Sequence, residues 1–164
     1  MKIKTLLISL LLLLACGSFA QTVGYTYKPL AEEGCSMEYS VSKQDTIYFI
    51  ITTVKSDRLM FLKESTMLLK TVDGEVIKLQ GTVIGNGSES AGIVAGNMVL
   101  PITEISSTAQ FKVTPAQFEL INKGISKVRI STTPIEHERE FNKDKIGKKL
   151  YQLFLKQRDK DDSF

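Results

Sequence analysis

The chain is expected to fold as a mainly β (α+β) domain, an antiparallel β-sandwich or strongly bent sheet of about seven or eight strands with one short inserted helix and a C-terminal amphipathic helix. Three observations carry that expectation. Runs rich in β-branched and aromatic residues, several with period-two alternation, recur from Cys35 to Thr133. Turn signals separate them at short intervals, the strongest being Asp73-Gly74. Helical periodicity is confined to two stretches, 115–123 and 142–158.

Residues 1–20 stand apart from this pattern. Lys2 and Lys4 precede an apolar run from Leu6 to Ala15, and Ser18 and Ala20 put small side chains where a signal peptidase reads them. The stretch therefore reads as a secretory signal peptide whose removal leaves Gln21 as the new N-terminus. The apolar run is shorter than the ~20 residues a membrane span needs, so no transmembrane span is expected in the mature protein. An alternative signal overlaps it: Leu13-Leu14-Ala15-Cys16 places a small residue before a cysteine, which would keep the protein lipid-anchored through Cys16. Leu14 is bulkier than that signal favours, and Gly17-Ser18-Phe19-Ala20 is no polar tether, so release after Ala20 is the expected outcome.

Residues 21–164 suffice for one domain that buries about two-thirds of the surface of its unfolded chain. Once Cys16 leaves with the leader, Cys35 remains alone, so no intrachain disulfide staples the domain and packing must stabilise it. Loss of Lys2 and Lys4 with no acid takes the formal net charge from +3 to +1. No overall field then favours nucleic acid as a partner.

Along the chain, 21–34 contains Pro29 and two glycines and reads as an N-terminal surface segment leading into a single domain over 35–158. In CSMEYSVS, Met37, Tyr39 and Val41 alternate with polar residues, the pattern of a strand with one wet face. TIYFIITTV, 46–54, carries β-branched and aromatic residues at both parities and reads as a strand buried on both sides. A short apolar run at 59–62 precedes strands over 66–72 and 75–79, joined by Asp73-Gly74, for which a type I′ turn is expected. Gly81 to Asn97 is glycine-rich and reads as a flexible loop containing at most a frail strand at 93–95. Strands over 98–102 and 107–113 follow, with Pro101 demanding an edge or a bulge.

TPAQFELINKG is the better defined of the two helices. Thr114 can N-cap it, Pro115 suits the first turn, Gln117 completes a capping box, and Gly124 ends it in a left-handed conformation. ISKVRIST then reads as a strand with Val128 and Ile130 inward, interrupted by Pro134. In the final helix Ile146, Leu150, Leu153 and Phe154 share a stripe surrounded by lysines, and 159–164 should fray. That stripe reads as packing against the sheet. The competing use is a membrane surface or an acidic partner.

Four groups of residues invite chemistry. Cys35 and His137, the only histidine, have the residue types of a thiol-dependent enzyme, yet nothing local lowers the pKa of Cys35. Alternation in IEHEREF puts Glu136, Glu138 and Glu140 on one side and His137 and Arg139 on the other. Such a row offers too few oxygens for Ca²⁺ and reads as a charged edge strand. IGNGSESAGIVAG lacks the Gly-Lys-Ser/Thr ending of a phosphate loop, while Asn86-Gly87-Ser88 matches a glycosylation acceptor. No catalytic, cofactor-binding or metal site is therefore assigned, and no cofactor is expected.

Read in order, DTIYFIITTV, LLKTVDGEVIKLQG, FKVTPAQFELINKGISKVRIST and FNKDKIGKKLYQLFLK resemble a layout recurring in small exported β-rich proteins of Bacteroidota-type bacteria. The resemblance runs from Asp45 onward, and the FAQ ending of the leader agrees with it. Those proteins have no established activity, so the resemblance implies export and transfers no functional residue. The functional expectation is a non-catalytic binding or structural domain of the periplasm or cell exterior, with an unknown protein or glycan partner. The alternatives are an envelope-assembly component anchored through Cys16 and the thiol enzyme.

Overall fold

A computed structural model describes residues 21–27, 35–56, 61–95, 98–134 and 136–160. Cys16, Ser18 and Ala20 lie outside the described residues. Among the described residues eight strands run in chain order as β1 (Val23–Tyr27), β2 (Cys35–Gln44), β3 (Ile47–Ser56), β4 (Phe61–Thr71), β5 (Val76–Ala95), β6 (Met98–Val113), β7 (Ile125–Thr133) and β8 (His137–Glu140). Helix α1 (Pro115–Asn122) lies between β6 and β7, and α2 (Gly147–Asp159) follows β8. The molecule is mainly β, as the sequence predicts.

All neighbours in the sheet are antiparallel, in the order β1-β2-β3-β6-β5-β4-β7-β8. The sheet is curled because β5 serves both halves. Its first part, Val76 to Gln80, pairs with β4, and from Gly81 onward it pairs with β6. Gly81 marks the change: a Cβ there would stand 2.0 Å from the carbonyl oxygen of Gln110, so any side chain would force the two strands apart. The curl brings β4 back across β6, where the Leu62 N–H donates to Ser107 Oγ at 3.1 Å.

The core lines the inside of the curl. Met37, Tyr39, Ile50, Val54, Met67, Leu69, Leu79, Phe111, Val128 and Ile130 are all essentially inaccessible. They come from alternate positions of six strands, as period two requires. In β3 the alternation is cleaner than the sequence predicts: Tyr48, Ile50, Thr52 and Val54 are buried, whereas Phe49, Ile51 and Thr53 are half-exposed. This strand is therefore not buried on both sides, because among the described residues no second layer covers its outer face.

The helices cover one end of the curl. Thr114 Oγ1 accepts the Gln117 N–H and the Gln117 side chain accepts the Thr114 N–H, the expected capping box, and Gly124 ends the helix at φ 98°. Phe118 of α1 stacks on Phe154 of α2 with centroids 4.4 Å apart, and Tyr48 meets Phe154 edge-on at 4.9 Å. Leu150, Leu153 and Phe154 are buried, so the apolar stripe of α2 packs against the domain, as the sequence predicts.

Three further local expectations are overturned. The described part of the glycine-rich stretch, Gly81 to Ala95, is not a loop: it belongs to one strand with 76–80, and 98–113 is likewise continuous. Register from Gly81↔Phe111 to Ala95↔Met98 supplies backbone partners that outweigh the weak β-propensity of glycine. Val23 to Tyr27 is an edge strand and not a surface lead-in, since Val23 and Tyr25 pack onto the core beside β2. The β4–β5 turn has positive φ at Gly74 (92°) and not at Asp73. The Gly74 N–H donates to Thr71 O and the Thr71 N–H to Glu75 O, a three-residue connection with glycine in the left-handed position in place of type I′.

Candidate functional site

The two ends of the sheet, β1 and β8, meet through side chains. Tyr25 points from β1 toward Tyr39 on β2 and His137 on β8. Its hydroxyl lies 2.9 Å from the Tyr39 hydroxyl and 2.7 Å from His137 Nε2. The Tyr25 and His137 rings stack with centroids 5.7 Å apart, and Phe141 meets Tyr25 edge-on at 5.2 Å. A neutral imidazole accepting at Nε2 fits this arrangement, with Tyr25 donating to it and accepting from Tyr39.

The electrostatics follow from the setting. Burial, helped by the positive charge of Arg139, lowers the His137 pKa from 6.5 to about 4. Burial also raises the Tyr25 pKa to about 12, against the opposing effects of the Tyr39 hydrogen bond and Arg139. Both groups are therefore neutral over the ordinary range of pH. The cluster joins two strands that share no backbone ladder in the sheet order.

The sequence draws attention to Cys35 and His137 together, and the structure does not join them. Cys35 is buried at the start of β2, where its Sγ is in a 3.0 Å hydrogen bond with Ser56 Oγ. His137 is bonded to Tyr25, and no hydrogen bond links it to the thiol. The described geometry thus lacks the thiol–imidazole contact that activates a nucleophile.

Glu138 and Glu140 face two cations on β7. Lys127 pairs with Glu138 and, at 3.0 Å, with Glu140, while Arg129 Nε donates to Glu138 at 2.6 Å. The hydrogen bonds from Lys127 and then Arg129 hold the Glu138 carboxyl below its ordinary pKa. Glu136 is exposed, and no group of His, Cys, Asp or Glu among the described residues is arranged to hold a metal ion. Two members of the acidic row are thus neutralised from within, on an edge strand guarded by charge.

Further polar groups come together that nothing in the sequence signals. Ser107 donates to Asn86 Oδ1 at 2.7 Å while accepting from Leu62, which ties the side chain of the glycosylation-type Asn86 back onto β6. Thr52 Oγ1 is fully buried without a hydrogen-bond partner. Asp144 accepts backbone N–H groups from Ile125, Ile146 and Gly147 at Oδ1 and from Lys148 at Oδ2, anchoring the start of α2 to β7.

The remaining feature is the distal half of β5 and β6. Among the described residues, β3 pairs with β6 from Ile105 to Val113 and β4 pairs with β5 as far as Gln80. From Gly87 to Ala95 and from Met98 to Ser106 the two strands are paired mainly with each other, in a ribbon about 25–30 Å long at ~3.4 Å per residue. Residues 90–103 carry no charge.

No family model, no curated protein and no solved structure matches the chain.

Proposed function

We propose that this protein is an exported, non-catalytic binding domain that engages a protein or glycan partner through the β5–β6 ribbon. The observation that carries this reading is the length of the ribbon beyond its neighbours: among the described residues, past Ile105 on β6 and past Gln80 on β5, neither β3 nor β4 continues the ladder. A two-stranded ribbon is marginally stable alone in water. An uncharged stretch such as 90–103 gains most where a surface covers it. The export half of the reading rests on Lys2, Lys4, the apolar run and the small residues Ser18 and Ala20. Among the described residues no helix is long and apolar enough to cross a membrane.

Two measurements test the reading. Intact mass of the protein from its native host should begin at Gln21. A diacyl or triacyl addition on Cys16 would replace soluble release by lipid anchoring. For the ribbon, residues 88–105 are replaced by an Asn-Gly turn between the paired Gly87 and Ser106. Crosslinking in the host envelope should then yield a partner with the full chain and none with the shortened one, while both melt at similar temperatures. Equal yields would reject the ribbon as the contact element.

A further inference from the structure

Beyond the ribbon, a second feature points to a ligand class. Where β8 ends and the chain turns toward α2, Arg139, Glu140, Phe141, Asn142, Lys143 and Lys145 line a concavity of about 300 Å³. We infer that this concavity is an anion-binding site for a phosphate group, with Arg139, Lys143 and Lys145 as its cationic ligands.

The charge balance argues for it. None of the three cations makes an ion pair or side-chain hydrogen bond with another described residue. The nearby acids are engaged elsewhere. Glu140 is held by Lys127 at 3.0 Å, on the opposite face of β8 from Arg139, and the Asp144 carboxylate is occupied by four backbone N–H groups. Phe141 is buried, with its ring against Tyr25, so the floor of the concavity is fixed by the core. A planar guanidinium beside two ammonium groups suits an oxyanion with several acceptor oxygens, which the guanidinium can meet in bidentate fashion.

The site is also wired to the core. His137 lies two residues before Arg139 on the same face of β8, and the Arg139 charge opposes protonation of its ring. An anion seated on Arg139 offsets that charge, so bound phosphate makes His137 easier to protonate, and protonation of His137 in turn tightens phosphate binding. A loose counterion cloud would not single out this ring.

The test is an NMR titration of the purified protein with inorganic phosphate at constant ionic strength set by chloride, with a parallel sedimentation assay on vesicles of phosphatidylglycerol or phosphatidylcholine. Phosphate should saturate shifts confined to the amides of residues 139–145 and raise the apparent pKa of the His137 ring. Arg139→Gln should weaken binding by about tenfold or more, given that hydrogen bonds to charged groups contribute ~1.5–3 kcal/mol. Lys143→Gln with Lys145→Gln, both exposed and outside the core, should weaken it with no change in melting temperature. Saturation by free phosphate without vesicle binding identifies a soluble phosphorylated ligand. Binding to phosphatidylglycerol vesicles alone, abolished by the same substitutions, identifies a lipid headgroup. Absence of both, or binding unchanged in the variants, overturns the site.

Discussion

Acid should loosen the seam between β1 and β8, and the size of the effect follows from His137. The ring is 4% exposed, and its pKa falls from 6.5 to about 4 in the folded protein. The neutral form is the one the fold favours. The associated stability is therefore fully present above the unfolded value of 6.5, is lost as pH falls toward 4, and is gone below that. With ~1.4 kcal/mol for each tenfold change in proton affinity, the loss is about 3 kcal/mol. That is a large share of the ~5–15 kcal/mol that holds an ordinary domain together. Denaturant unfolding of the wild type and His137→Gln at pH 7 and pH 4 isolates the effect. Glutamine never takes up the proton yet retains an acceptor for Tyr25, and the contributions of Glu138 and Asp144 cancel in the difference. The wild type should lose about 3 kcal/mol more than the variant between the two conditions, and the His137 ring should titrate near 4 by NMR. A wild-type-minus-variant difference that is the same at both pH values would refute the buried, neutral imidazole.

Three more outcomes follow from particular contacts. Thr52→Val removes a fully buried hydroxyl that has no partner while keeping nearly the same volume, so it should stabilise the protein by up to ~1 kcal/mol in thermal or denaturant unfolding. Asp144→Ala strips the acceptor from four amides at the join of β7 and α2 and should cost about 1–2 kcal/mol, with loss of helical circular dichroism. Burial pushes the Asp144 carboxyl up, but those four donors outweigh it and hold its pKa below the ordinary value, so this contribution is lost as pH falls through the acid range. Gly81→Ala sets a methyl against the Gln110 carbonyl and should lower the melting temperature, with the fastest gain in hydrogen exchange at the β5–β6 pairs flanking Gly81.

Much of the fold is legible because its causes are local. Thr114, Pro115, Gln117 and Gly124 specify α1 within one stretch of chain. The stripe of Leu150, Leu153 and Phe154 specifies the buried face of α2, and Met37, Tyr39 and Val41 specify that of β2. What escapes a local reading depends on partners distant in sequence. Gly81 to Ala95 looks like a loop because glycine and serine have no strand preference of their own; the ladder from β6 makes it a strand. Val23 to Tyr27 looks like an exposed lead-in because Tyr25 finds His137 only across the closed curl, 112 positions away.

By itself the sequence determined the class of fold, helix α1 with both its ends, the buried stripe of α2, the inward face of β2, and the charged edge at Glu136 to Glu140. Each depends on periodicity, caps or counts that a short window contains. Only the tertiary structure decided that β5 would serve both halves of the sheet, that Tyr25 would bridge Tyr39 and His137, that Lys127 and Arg129 would neutralise Glu138, and that Arg139, Lys143 and Lys145 would line one concavity. Those pairings arise when the curl closes, and closure depends on the summed burial of the core and not on any residue taken with its neighbours in the chain.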